Sequence, residues 1–160
     1  YAILGNGGYK IQPTILSKKM NTSEQKIQII SSETSDIINS ILRKVVANKE
    51  GTANFANIKG YEVGGKTGSA LKSENGIYTK KKFNTFVSLF PSSSPKYVLL
   101  VILDEPKSAP HFVYEFANGY KHKGEKRNTA GWNTVVVAGK IIEKIGPILA
   151  INNLQASNNF

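Results

Sequence analysis

Between residues 60 and 68 the chain reads Gly-Tyr-Glu-Val-Gly-Gly-Lys-Thr-Gly, four glycines around a Lys-Thr pair. Such a run admits two very different local structures. Gly60 to Thr67 fits the spacing of a phosphate-binding loop, G-x-x-x-x-G-K-[ST]. That loop needs a buried strand leading into its first glycine and a helix opening at the Lys-Thr, because loop and helix-terminal amides hold the phosphates. Here Ala53-Asn54-Phe55-Ala56-Asn57-Ile58-Lys59 comes first, with no strand pattern, and only seven residues separate Thr67 from Asn75-Gly76. Both flanks argue against the loop. An apolar strand that ends in Asp104-Glu105, as a Mg²⁺-binding strand would, keeps a P-loop NTPase as an alternative.

The other structure is a single strand from Tyr61 to Ala70. Period two then places Thr67 and Ser69 on one face and Lys66 on the other. Two hydroxyls on one side suit a carboxylate, and the missing side chains of the glycines let a peptide-like ligand approach the backbone. A plain glycine-containing edge strand with a surface lysine fits the same residues.

The rest of the chain supports a strand in that place. Ile37, Ile38, Ile41, Leu42, Val45 and Val46 recur at helical spacing. Ser32 or Thr34 can cap that helix, and Gly51 lies just beyond its end. Asn75-Gly76 is a strong hairpin signal. Phe83 to Phe90 and Tyr97 to Leu103 read as two further strands, joined by Pro91 to Lys96. The second is apolar on both faces, which predicts a central strand in a helix-covered sheet. Val135, Ala138, Ile141, Ile142 and Ile145 give a closing helix that stops at Gly146-Pro147. Trp132 and Arg127-Asn128-Thr129 are expected to start and anchor that helix. Ile11 to Leu16 reads as a short extended piece limited by Pro13, and residues 152–160 as a frayed tail. The order helix, strand, strand, strand, helix predicts an α/β chain of the α+β type, an antiparallel sheet packed with helices, with no internal repeat and no second domain.

Bulk properties narrow the function classes. The 160 residues are 40% hydrophobic, enough for one domain with a core. No apolar run exceeds Tyr97 to Leu103, too short to span a bilayer. The opening Tyr1-Ala2-Ile3-Leu4 has neither a basic leader nor a cleavage pattern, and it reads as a helix tail stopped by Gly5-Asn6-Gly7-Gly8. The expectation is a piece of a longer protein. A net charge of +10 favours anionic partners, although scattered surface lysines account for it equally well. The aromatic residues sit at core spacing rather than as a base-stacking platform, so nucleic acid is not expected as a partner. With no cysteine, no disulfide or thiolate metal site is possible. His111 and His122 have no carboxylate at metal-ligand spacing, and no cofactor is expected.

In this context the Lys66-Thr67-Gly68 strand and its two successors resemble the penicillin-binding proteins and serine β-lactamases, whose third motif is Lys-Thr/Ser-Gly. The likeness to the class B, division-septum transpeptidases covers nearly the whole chain. Tyr1 to Gly8 followed by Pro13-Thr14 is similar to their helix end and extended segment. Ile41 to Val46 with Gly51-Thr52-Ala53 resembles their helix and turn. Phe86 to Pro91, Val101 to Pro106 and Thr129-Ala130-Gly131-Trp132-Asn133 resemble their last strands and the lead-in to their final helix.

The resemblance implies that residues 1–160 are the C-terminal portion of a penicillin-binding/serine β-lactamase-like transpeptidase domain. It implies acyl transfer through a serine, between peptidoglycan stem peptides, with β-lactam antibiotics as mimics of D-alanyl-D-alanine. Lys66 takes the catalytic place in that pattern. Thr67, Gly68 and Ser69 bind the substrate, and the Ser69 backbone N–H forms part of the oxyanion hole. Where the family often has Thr, position 69 is Ser, which keeps the hydroxyl. The family's S-x-x-K and S-x-N motifs are expected outside this chain. Ser23-Glu24-Gln25-Lys26, Ser69-Ala70-Leu71-Lys72, Ser93-Ser94-Pro95-Lys96 and Ser73-Glu74-Asn75 match them as text only, so no nucleophile is assigned here. The parent protein is expected at the periplasmic face of the bacterial cytoplasmic membrane. A missing N-terminal anchor would be its only membrane contact, and the cell-division machinery its partner. A non-catalytic interaction module is the remaining alternative for the chain in isolation.

Overall fold

The computed structural model describes residues 1–15, 26–116, 119–125 and 127–157, with side chains described to residue 151. A first short helix, α1 (Ala2–Gly5), leads by way of an isolated bridge between Tyr9 and Gln28 to α2 (Ser32–Ala47). Residues 11–15 form no regular element, and Leu16 lies outside the described residues. The cap of α2 is Ser31, whose Oγ accepts from the Thr34 N–H at 3.1 Å. Ser32 and Thr34 are therefore inside the first turn rather than at the cap. The choice follows from geometry, since an N-cap side chain serves the amide three residues on.

The buried stripe of α2 is Ser35, Asn39, Leu42 and Val46, not the purely apolar one. Ser35 Oγ and Asn39 Nδ2 both donate to the Leu4 carbonyl at the end of α1, at 2.5 and 3.0 Å. That carbonyl has no partner further along its own short helix, so two polar side chains are buried where the pattern predicts apolar ones. Ile37 and Ile41 are about half exposed in consequence.

A three-stranded antiparallel sheet follows in the order β1 (Gly64–Glu74), β2 (Ile77–Phe90), β3 (Tyr97–Asp104). Asn75 and Gly76 both have positive φ, 52° and 80°, the pairing that a two-residue hairpin turn matched to strand twist requires. The predicted hairpin is present, and β1 and β2 both run further toward it than the sequence suggested. β3 is not central. It is an edge of this sheet, and Val98, Leu100 and Ile102 on its outer face are about half exposed.

The inner face carries the core. Phe86 and Phe90 of β2 and Val101 of β3 pack with Val46, Ala53, Ala56 and Val63, and with Val135, Ala138 and Ile142 of the last helix, α3 (Thr134–Ser157). This helix continues through Gly146-Pro147, where a stop was expected, and residues 158–160 lie outside the described residues. A proline inside a helix forgoes one backbone hydrogen bond and typically costs about 3 kcal/mol. Here the continuation is tied down: Leu149 packs on the core, and its carbonyl accepts from the Tyr97 hydroxyl at 3.4 Å. Sequence reading also missed a small hairpin, β4 (Val113–Glu115) with β5 (Lys121–Lys123). Strands of three residues leave too little alternation to recognise.

At the hairpin end of the sheet, Lys72 binds Asp104 and Glu105 at 2.9 and 2.8 Å, and Lys81 binds Glu74 at 2.7 Å. The hydrogen bond from Lys72 is the main reason the Glu105 carboxyl is held below its ordinary range. Hydrogen bonds to Glu105 and to Glu74 raise Lys72 and Lys81 respectively. A depressed carboxyl stabilises the fold above its unfolded pKa, and that stabilisation fades as pH falls through the folded value. The raised lysines contribute below their unfolded value and lose it in strong alkali. Glu105→Gln should therefore lower the thermal midpoint slightly at neutral pH. The difference from the parent chain should vanish on acidification below the folded Glu105 pKa and should shrink in high salt, as read by thermal melts at stepped pH.

Candidate functional site

The predicted Lys-Thr-Gly strand lies at the open edge of the sheet. β1 pairs with β2 alone, so every other backbone N–H and C=O of β1 points away from the sheet. Lys66 and Thr67 are the third and fourth residues of this strand. No helix begins at them, which removes the feature a phosphate loop depends on and sets the NTPase alternative aside.

The register puts Thr67 opposite Phe86 and Ser69 opposite Asn84, on the face that carries the core. Lys66 lies opposite Val87 on the other face, exposed, with Nζ donating to the Thr67 carbonyl at 2.8 Å. The alternation expected from period two is thus realised. Gly65 has a packing reason of its own. A Cβ there would lie 2.7 Å from Cζ of Phe86 and 2.6 Å from the Val87 carbonyl oxygen.

Two turns from distant parts of the chain close on the hydroxyl face. Thr52, after α2, places Oγ1 at 3.1 Å from Thr67 Oγ1. Ala130, in the 3-10 turn before α3, donates its N–H to Ser69 Oγ at 2.8 Å. A hydroxyl has one proton and two lone pairs. Ser69 accepts from Ala130 and keeps its O–H to donate. In the Thr52–Thr67 pair one hydroxyl donates to the other, and the acceptor keeps its proton. The face therefore offers two O–H donors to a ligand, which matches the two oxygens of a carboxylate. Sequence reading noted Gly51-Thr52-Ala53 as a helix and turn but gave Thr52 no site role. Its part depends on a contact 15 residues away in sequence.

The serine motifs read as textual coincidences are placed as follows. Ser69 and Lys72 lie along β1, and Lys72 is engaged by Asp104 and Glu105. Ser93, in the turn between β2 and β3, donates to Glu62. Ser73-Glu74-Asn75 ends β1 and starts the hairpin turn. Ser23 to Gln25 lie outside the described residues. Among the described residues no group of three or more His, Asp and Glu side chains is arranged to hold a metal.

The sequence profile of the penicillin binding protein transpeptidase domain matches residues 1–139. The chain belongs to this family. A relative described as a probable peptidoglycan D,D-transpeptidase FtsI, from Caulobacter vibrioides, is 30% identical over 154 residues, covering 91% of this chain and 24% of its own length. The chain thus spans about a quarter of that relative. Among solved structures, the transpeptidase domain of Burkholderia pseudomallei penicillin-binding protein 3 aligns with a TM-score of 0.63 at 26% identity, over 91% of this chain and 40% of that one. A Mycobacterium tuberculosis penicillin-binding protein 3 bound to aztreonam shares the fold, with a TM-score of 0.61 at 22% identity, over 90% of this chain and 33% of that one. The transpeptidase family and the α/β fold expected from the sequence are both borne out.

The Thr52–Thr67 contact predicts that Thr52→Val weakens binding of a peptide carboxylate to this face about 2–10-fold, the cost of one hydrogen bond. Thr52→Ser should restore it. Titration of the chain with a small carboxylate-terminated peptide, followed by amide shifts on β1, measures both.

Proposed function

We propose that this chain is the C-terminal portion of a peptidoglycan D,D-transpeptidase domain and supplies its substrate-binding strand. The observation that carries the reading is the pairing of an open β-edge with two hydroxyl donors on one face, one from Ser69 and one from the Thr52–Thr67 pair. An extended peptide ending in a carboxylate adds to β1 through main-chain hydrogen bonds and places its carboxylate on those hydroxyls. Lys66, on the other face, supplies positive charge and proton handling next to the reacting peptide bond. The Ser69 backbone N–H is one donor to the oxyanion.

The reaction is acyl transfer. A serine attacks the D-alanyl-D-alanine bond of a stem peptide and releases the terminal D-alanine. The amine of a second peptide then displaces the serine and completes the cross-link. That serine is assigned to a part of the domain outside residues 1–160, in keeping with the text matches within the described residues, which sit on a strand or in turns. The exposed apolar positions of α2 and of the outer sheet face fit cover by the nucleophile-bearing part. The isolated chain is then inactive. β-Lactams follow as ligands of the complete site, a reading to which the aztreonam complex of the M. tuberculosis neighbour lends support. The parent works at the periplasmic face of the cytoplasmic membrane, held by an N-terminal anchor, together with the division machinery. The described helices include none long and apolar enough to cross a membrane.

Two measurements test this. In the full-length protein, Lys66→Ala should slow β-lactam acylation about 10²–10³-fold, the usual cost of losing an electrostatic stabiliser at the reacting centre. An unchanged rate in a well-folded variant would remove Lys66 from the chemistry. The 160-residue chain alone should show no mass increase after incubation with a penicillin. A stoichiometric adduct mapped to one of its serines would place the nucleophile inside the chain.

A further inference from the structure

Beyond the β1 groove the chain builds a second polar site. Lys121, His122, Lys123, Glu125 and Arg127 line an open cleft of about 520 Å³. Its character is set by Arg127. The guanidinium carbon lies 4.8 Å above the centroid of the Trp132 ring, and Nε–H donates to Nε2 of His122 at 3.4 Å. The Arg127 backbone is held by its N–H to the Gly124 carbonyl at 3.2 Å.

The platform beneath it is equally fixed. The Trp132 carbonyl accepts from the Tyr114 hydroxyl at 2.6 Å, and the two rings pack edge to face at 4.9 Å. Phe55 also packs on the indole, with ring centroids 5.6 Å apart. A guanidinium stacked on a fixed indole and tied at Nε presents its two terminal amino groups as a flat fork. That fork matches paired carboxylate or phosphate oxygens, and little side-chain freedom remains to be lost on binding. Lys121 is engaged with Glu115 at 3.6 Å, so among the described lining residues Arg127 and Lys123 are left to attract an anion. Glu125, in the same lining, works against a continuous polyanion such as nucleic acid and leaves room for a single oxyanion.

We propose that this cleft is an oxyanion subsite in which Arg127 grips a carboxylate or phosphate group of the wall polymer whose peptide lies along β1. The proposal rests on the peptide-binding reading of that strand. Ala130, whose N–H holds Ser69, is three residues from Arg127, and three residues of chain reach at most about 11 Å. The backbone that carries the fork is thus a short span of chain from the turn that holds Ser69.

The test uses the ¹⁵N-labelled chain, in which the single tryptophan and the Arg127 Nε–H report on the cleft and the Gly68 and Ser69 amides report on β1. Inorganic phosphate, an acetylated stem peptide with free side-chain carboxylates, and its amidated form are titrated at constant ionic strength against chloride. Saturable shifts at Trp132 and Arg127 are expected with phosphate, with the free peptide, or with both, and the responding probe names the source. Arg127→Gln should weaken them about tenfold or more, and Arg127→Lys should not restore the bidentate grip. Shifts that persist in Arg127→Gln, or that chloride reproduces, would overturn the subsite. A peptide response at Trp132 with none at Ser69 would refute the β1 reading and leave the cleft standing. A peptide response at Ser69 with neither phosphate nor peptide shifting Trp132 would refute the cleft alone.

Discussion

The ring of Phe86 fills the space that a side chain at position 65 would occupy, and most of the site follows from that contact. Phe86 is fully buried in the cluster that joins the sheet to α2 and α3. Because Thr67 lies directly opposite it, the hydroxyl face of β1 is drawn over the core side of the sheet. A one-residue slip of β1 against β2 would turn Thr67 and Ser69 away and bring Lys66 and Gly68 to that face. The fit of Gly65 on Phe86 resists that slip, so a packing constraint fixes the chemistry of the edge.

Around that strand pair, two turns far apart in sequence supply what the strand lacks. Thr52 comes at the end of α2 and Ala130 at the approach to α3, and both reach β1 from the core side. The approach to α3 is itself pinned to the sheet. Asn133 Oδ1 accepts from the Thr134 N–H at 2.7 Å and from the buried Asn84 Nδ2 at 3.2 Å. Asn128 adds a bond to the Pro106 carbonyl, and its own carbonyl accepts from Lys82. The Ser69 hydroxyl is thus positioned through backbone amides and buried amide side chains. Such groups change position less readily than exposed ones, because each buried donor left unpaired costs about 1–3 kcal/mol.

The outer surface tells a different story from the site. Ile37 and Ile41 on α2 and Val98, Leu100 and Ile102 on β3 face solvent beside an unpaired strand edge. On that same sheet face Leu89 is fully buried and Gly64 lies close against the backbone of α2 at Leu42 and Arg43, so the face is covered at one end and open at the other. Thr52 and Ala130 meet β1 on the core side, where Phe86 and its neighbours are fully buried.

The elements with long-range sequence patterns were legible: the α2 helix, the Asn75-Gly76 hairpin, the β2 and β3 strands, and the alternation that separates Lys66 from Thr67 and Ser69. Periodicity and turn chemistry are local properties, and the chain carries them wherever it folds. Three features belonged to the tertiary structure. Polar Ser35 and Asn39 took the buried stripe of α2 because the Leu4 carbonyl needed partners. α3 ran past Pro147 because Leu149 found the core and Tyr97. Thr52 and Ala130 met β1 because the core drew both turns to one strand. By itself the sequence determined that the Thr67 and Ser69 hydroxyls share one face of β1 and Lys66 takes the other. Only the packing of distant segments decided which neighbours those hydroxyls meet, because Thr52 and Ala130 come from parts of the chain that no local pattern ties to β1.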